Sequence, residues 1–161
     1  MRNHTLVLLA TLSACSAVPD DGSWSFRATA WEPNECNGDL LGIAPLEGAA
    51  ASLTREQDEL TLDSYLGPIG CTHEEGAYTC LPNVFFSVSG DDTGGDVDFL
   101  FTATATYTLT FPKPRHVEAE VAVEMLCEGA DCAALHDLDE DGAMASCSAT
   151  GVQEGSHELA F

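Results

Sequence analysis

Phe99-Leu100-Phe101-Thr102-Ala103-Thr104-Ala105-Thr106-Tyr107-Thr108-Leu109-Thr110-Phe111 decides the fold. The turn Pro112-Lys113-Pro114-Arg115-His116 follows it. Then comes Val117-Glu118-Ala119-Glu120-Val121-Ala122-Val123-Glu124-Met125-Leu126-Cys127. Apolar residues occupy the odd positions of both arms, and Thr or Glu fills most of the even ones. That period of two is the mark of a strand buried on one face. Setting Phe111 opposite Val117 pairs apolar with apolar as far as Phe101 with Cys127. It also sets Thr against Glu on the outer face. A slip of one residue would turn Thr and Glu inward along the whole hairpin, so the register is strongly specified.

The same period recurs on both sides. Trp24–Ala30 has apolar even positions. Residues 32–48 contain Pro and Gly-Asp breaks and read as a long loop carrying Cys36. Ala49–Arg55 and Leu60–Leu66 form a hairpin with Leu53 facing Leu62, and Val84–Ser89 is a further strand. Between them, a two-residue turn on Glu75-Gly76 sets Cys71 opposite Cys80, with Gly suited to the positive φ of a type I′ turn. Gly90–Gly95 reads as a turn, and Glu128–Met144 loses the period. Within that segment Cys132–Leu138 reads as a short helical excursion. Ser146–Val152 and His157–Phe161 close the chain as two strands. About eight or nine antiparallel strands in this order predict an all-β, up-and-down barrel or a sandwich. A membrane barrel is disfavoured, because the outer face is Thr and Glu where lipid would require apolar residues.

The N-terminus points to export. Met1-Arg2-Asn3-His4 precedes the apolar run Leu6–Leu12, as in a secretory signal, and the run is too short to span a bilayer. It ends in Leu12-Ser13-Ala14-Cys15. Those four residues resemble the lipobox of bacterial lipoproteins. The resemblance implies cleavage before Cys15, diacylglycerol on its thiol, and acyl chains such as palmitate holding the chain to a membrane. Residues 1–14 are then the signal peptide, 15–22 a lipidated polar tether, and 23–161 a single β-rich domain. By the same resemblance Ser16, where an Asp would retain the protein at the inner membrane, implies an outer-membrane address.

The full chain carries a formal net charge of −22. Beyond the signal, only Arg27, Arg55, Lys113 and Arg115 stand against all 27 acidic residues. Nucleic acid is excluded as a partner, since binding it requires a basic face. Anionic headgroups are repelled too, so membrane contact is expected to run through the lipid on Cys15.

Setting Cys15 aside leaves six cysteines, an even number suited to disulfides in an exported chain. The spacings 71/80 and 127/132 fit zinc poorly. The hairpin register predicts Cys71–Cys80. Proximity favours Cys127–Cys132, which leaves Cys36–Cys147; the rival set is Cys36–Cys132 with Cys127–Cys147.

Asp137-Leu138-Asp139-Glu140-Asp141-Gly142 matches the first half of an EF-hand calcium loop. Calcium is therefore expected on Asp137, Asp139 and Asp141. The twelfth position is Ser148, so the closing carboxylate is missing. Gly22-Ser23-Trp24 resembles the G-x-W start of lipocalins, which implies Trp24 plugging the base of a cup for an apolar ligand. The later T-D-Y-type motif is not evident. No H-E-x-x-H, G-x-S-x-G or P-loop is present, so no catalytic residue is nominated. Two function classes result: a non-enzymatic structural or interaction lipoprotein meeting an envelope protein, or a lipocalin-like carrier of a small apolar molecule.

Overall fold

The computed structural model describes residues 17–34, 50–65, 67–93, 97–133 and 146–158. Nine strands run β1 (Gly22–Asn34), β2 (Ala50–Glu56), β3 (Glu59–Ser64), β4 (Gly67–Glu74), β5 (Ala77–Cys80), β6 (Asn83–Ser89), β7 (Leu100–Lys113), β8 (His116–Glu128) and β9 (Cys147–His157). Every pairing is antiparallel. Eight strands close into a barrel in chain order, because β9 pairs with β1 and β5 pairs with β7. The ninth, β6, lies outside that ring on β7. These two closures decide for a barrel over a sandwich.

The long hairpin has the expected register. Leu100 pairs with Glu128, Phe101 with Cys127, and so on in step to Thr110 with Glu118. A shift near the turn then sets Lys113 opposite His116. All odd residues from Phe101 to Phe111 and from Val117 to Met125 are buried. Each buried Val, Leu or Phe side chain contributes roughly 1.5–3 kcal/mol, which outweighs anything the turn alone could impose. Leu53 faces Leu62. In the β4–β5 hairpin Glu75 and Gly76 have φ of 50° and 90°, as a type I′ turn requires. Cys71 pairs with Cys80 and is bonded to it, with Cα atoms 3.8 Å apart.

Four readings of the sequence need correction. First, β1 does not stop at Ala30 but pairs with β9 as far as Asn34 opposite Ala149. Register shifts at Ala28/Ala30 and Trp31/Asn34 interrupt the period of two, and Pro33 falls inside the second, where a missing ladder donor is tolerated. Second, among the described residues one strand, β9, runs unbroken from the expected strand Ser146–Val152 to His157, and the remainder of the expected strand His157–Phe161 lies outside them from residue 159 on. The inward positions of β9 include Gly151, Gln153 and Gly155, all buried, so the gap expected at residues 153–156 holds core positions. Third, Asp91–Thr93 forms a single 3-10 turn within the Gly90–Gly95 stretch. Fourth, residues 17–21 of the expected tether are hydrogen-bonded to the barrel. Of the helical excursion, Cys132 and Ala133 are helical and the rest lies outside the described residues.

The barrel is filled by its own side chains. Trp24, Phe26, Leu53, Leu60, Leu62, Tyr107, Leu109 and Phe111 are all buried in one core cluster with the β8 face.

Candidate functional site

The two ends of the barrel differ in construction. At one end lie the starts of β1, β3, β5 and β8 and the end of β9. Here residues 17–21 fold back onto the barrel. The Ala17 N–H donates to the Phe111 carbonyl at 2.7 Å, and the Asp20 N–H donates to the Pro114 carbonyl at 2.9 Å. Pro19 is buried. The Asp20 carboxylate accepts from Arg115 Nε at 2.7 Å, and its carbonyl accepts from Trp24 Nε1 at 3.2 Å. The Arg55 N–H donates to the Asp21 carboxylate at 2.8 Å. The expected tether is thus fastened from its third residue onward. Pro19 and Asp20, a rigid residue and a short acceptor, were the only local signals for this.

Trp24 forms the floor. It is fully buried and meets Phe111 and His157 edge-on, with ring centroids 5.8 and 5.4 Å away. His157 Nε2 lies 3.0 Å from the Asp21 carbonyl. Gly22 has a φ of 132°, and a Cβ there would come within 2.8 Å of His157 Nε2. Only glycine admits this approach.

All described basic side chains belong to this half. Arg27 bonds Glu154 at 2.9 Å across the β1–β9 ladder. Next to it, Ser25, Arg27, His116, Glu154 and Ser156 line a shallow depression of about 400 Å³. Its two serine hydroxyls lie 3.4 Å apart and are within reach of each other. No nucleophile–base pair is formed there among the described residues.

At the opposite end β1, β3, β6 and β8 finish. Asp98 and Asp131 clasp two loops: the Asp98 N–H donates to the Asp131 carboxylate at 2.7 Å, and the Asp131 N–H donates to the Asp98 carbonyl at 3.0 Å. The Cys127–Cys132 disulfide closes the second loop, with Cα atoms 5.9 Å apart. The rival pairing of Cys127 with Cys147 is thereby overturned. Cys147 is disulfide-bonded as well, while its expected partner, Cys36, lies outside the described residues. Asp92 accepts from the Ser89 hydroxyl at 2.7 Å and the Ser89 N–H at 2.8 Å, and these bonds hold its carboxyl below the usual range.

Cys15 and the calcium candidates Asp137, Asp139 and Asp141 lie outside the described residues. Among the described residues no group of three or more His, Cys, Asp or Glu is arranged to hold a metal. His73 is exposed and packs against Tyr78 with its ring tilted by 52°, centroids 4.8 Å apart. Comparison with known proteins returned no match, whether to family models, to curated proteins or to solved structures.

Proposed function

We propose that the chain is an envelope-anchored bacterial lipoprotein whose barrel is a non-enzymatic interaction module, held to the outer membrane through lipid on Cys15. The observation that carries this reading is the Ala17–Phe111 hydrogen bond. Only Ser16 separates Cys15 from a residue fastened to the barrel. Two residue steps span roughly 7 Å at most, so lipid on Cys15 would seat this end directly on the bilayer surface. The opposite, acidic end would then face away from the membrane and be free for partners.

A filled interior supports an interaction role over transport. The runner-up, a lipocalin-like carrier, has in its favour a tryptophan buried at the barrel base. Against it, Phe101, Tyr107, Leu109 and Phe111 occupy the space an apolar ligand would need. Calcium on Asp137, Asp139 and Asp141 remains part of the proposal on sequence grounds alone.

The test is membrane fractionation of the wild type and Cys15→Ser, together with quenching of a fluorophore on Lys113 by nitroxide lipids. The wild type should partition with membranes and be quenched, and Cys15→Ser should be released or accumulate unprocessed. Membrane association that survives Cys15→Ser would overturn the anchor. Partitioning without quenching at Lys113 would overturn the seated orientation.

A further inference from the structure

β6 is the strand outside the barrel. One of its edges pairs with β7, from Asn83 opposite Ala105 to Ser89 opposite Leu100. Its other edge has no strand beside it among the described residues. The Leu81 N–H still bonds the Gly70 carbonyl at 2.9 Å, and beyond that point β6 parts from β4. An edge strand is a template for another chain, and proteins normally blunt one with charge, proline or a short length. Asn83-Val84-Phe85-Phe86-Ser87-Val88-Ser89 has no charged residue and no proline over seven positions.

Each face of this edge presents one exposed apolar side chain, beside Ser87 on the outer face. Val84 points outward and is 56% exposed, while Phe86 lies on the inner side and is 42% exposed. Phe86 rests edge-on against buried Phe101, centroids 6.1 Å apart, so its ring is held in place from below. On the outer face Leu100 and Leu126, each 41% exposed, sit diagonally across the β7–β8 ladder, with Leu100 opposite Ser89 at the end of β6.

Charge selects the partner. The rim of this surface holds exposed Asp91, Asp92, Asp98, Glu124 and Glu128. Every described Lys and Arg lies toward the other end. Lys113 and Leu100 stand at opposite ends of β7, roughly 40 Å of strand apart, several screening lengths at physiological salt. A second copy of this chain, itself at −22, would bring acid against acid.

We propose that the free edge of β6 docks an extended segment of a partner protein that alternates apolar and basic residues, added as a further strand of the sheet. Main-chain bonds supply the affinity and the alternating side chains the selectivity, as in strand addition generally. This deepens the interaction role proposed above and is independent of the lipid on Cys15.

The experiment uses the full chain in detergent, lipidated and as Cys15→Ser. The probe is a fluorescent heptapeptide alternating Val and Lys, beside a counterpart with Glu in place of Lys. Anisotropy reports binding, and hydrogen exchange reports the amides of residues 83–89. The Val/Lys peptide should bind saturably to both forms and slow exchange in 83–89. The double variant Val84→Lys, Ser87→Lys, changed only at exposed positions, should melt as the wild type does and bind about tenfold more weakly, a loss of ~1.4 kcal/mol. Three results would each overturn the proposal: equal binding of the Val/Glu peptide, binding without protection of 83–89, or no binding up to ~1 mM. Sedimentation showing a dimer that this double variant abolishes would assign the edge to a second copy and overturn it too. Binding that persists in Cys15→Ser while that chain leaves the membrane would separate this site from the anchor.

Discussion

The six-membered ring of Trp31 covers Gly151 across the β1–β9 ladder. A Cβ on that glycine would stand 2.5 Å from Trp31 Cε3 and 2.7 Å from Cδ2. Four residues on, a Cβ at Gly155 would stand 2.5 Å from Val117 Cγ1 and 2.9 Å from Phe26 Cε1. Two aromatic side chains of β1 therefore fit inside the sheet because β9 has only hydrogen opposite them.

Gly151→Ala should overpack this contact and destabilise the protein by about 1–3 kcal/mol. Urea unfolding would show a lower midpoint with an unchanged slope. Combining it with Trp31→Leu should recover part of the loss, since the two positions touch and are coupled. A Gly151→Ala protein as stable as the wild type would contradict the packing described.

Tyr107 is fully buried on the inner face, and among the described residues its hydroxyl has no hydrogen-bond partner. Burial, with a smaller contribution from Tyr65, holds its phenol well above the ordinary value near 10. Below about pH 10 both folded and unfolded chains keep this proton, and the group adds no pH dependence. Above it the unfolded chain releases the proton and the folded chain does not. Stability then falls as pH rises, by up to ~1.4 kcal/mol per pH unit from this residue. Tyr107→Phe should be about 1 kcal/mol more stable at neutral pH, because it removes an unsatisfied polar atom. It should also lose less stability between pH 10 and 11 than the wild type, the interval being set by that reference value. Denaturant titrations at the two pH values measure both effects.

The clasp of residues 17–21 should be held by packing more than by charge. Asp20→Ala breaks an ion pair whose side chains are both well exposed, a loss of about 1 kcal/mol or less. Trp24→Ala empties the floor of the barrel and should cost about 3–5 kcal/mol. Thermal melts of the two variants should therefore separate widely. Similar shifts would mean that the Asp20–Arg115 pair carries the clasp.

Much of the barrel was legible because one face of nearly every strand is buried. Phe101 to Phe111 and Val117 to Met125 state their register through period alone, since any slip would bury Thr and Glu. Glu75-Gly76 states its own turn, and through it the pairing of Cys71 with Cys80. Lipidation of Cys15 and calcium on Asp137, Asp139 and Asp141 rest on sequence alone, their residues falling outside the described ones. What hid the rest was of two kinds. Gln153 and Gly155 fall in the gap between two expected strands because a polar residue and a glycine give no apolar alternation, and the space inward of Gly155 is taken by Phe26 and Val117 from elsewhere in the chain. Ala17 and Asp20 read as part of a tether because their partners, Phe111, Pro114 and Arg115, are some ninety residues away. Closure of the barrel through β1–β9 and β5–β7, and with it the exclusion of β6 and the exposure of its apolar edge, was decided only in three dimensions. Periodicity reports which face of a strand is buried. It carries no information about which strand lies at its edge, because main-chain donors and acceptors are the same in every residue but proline.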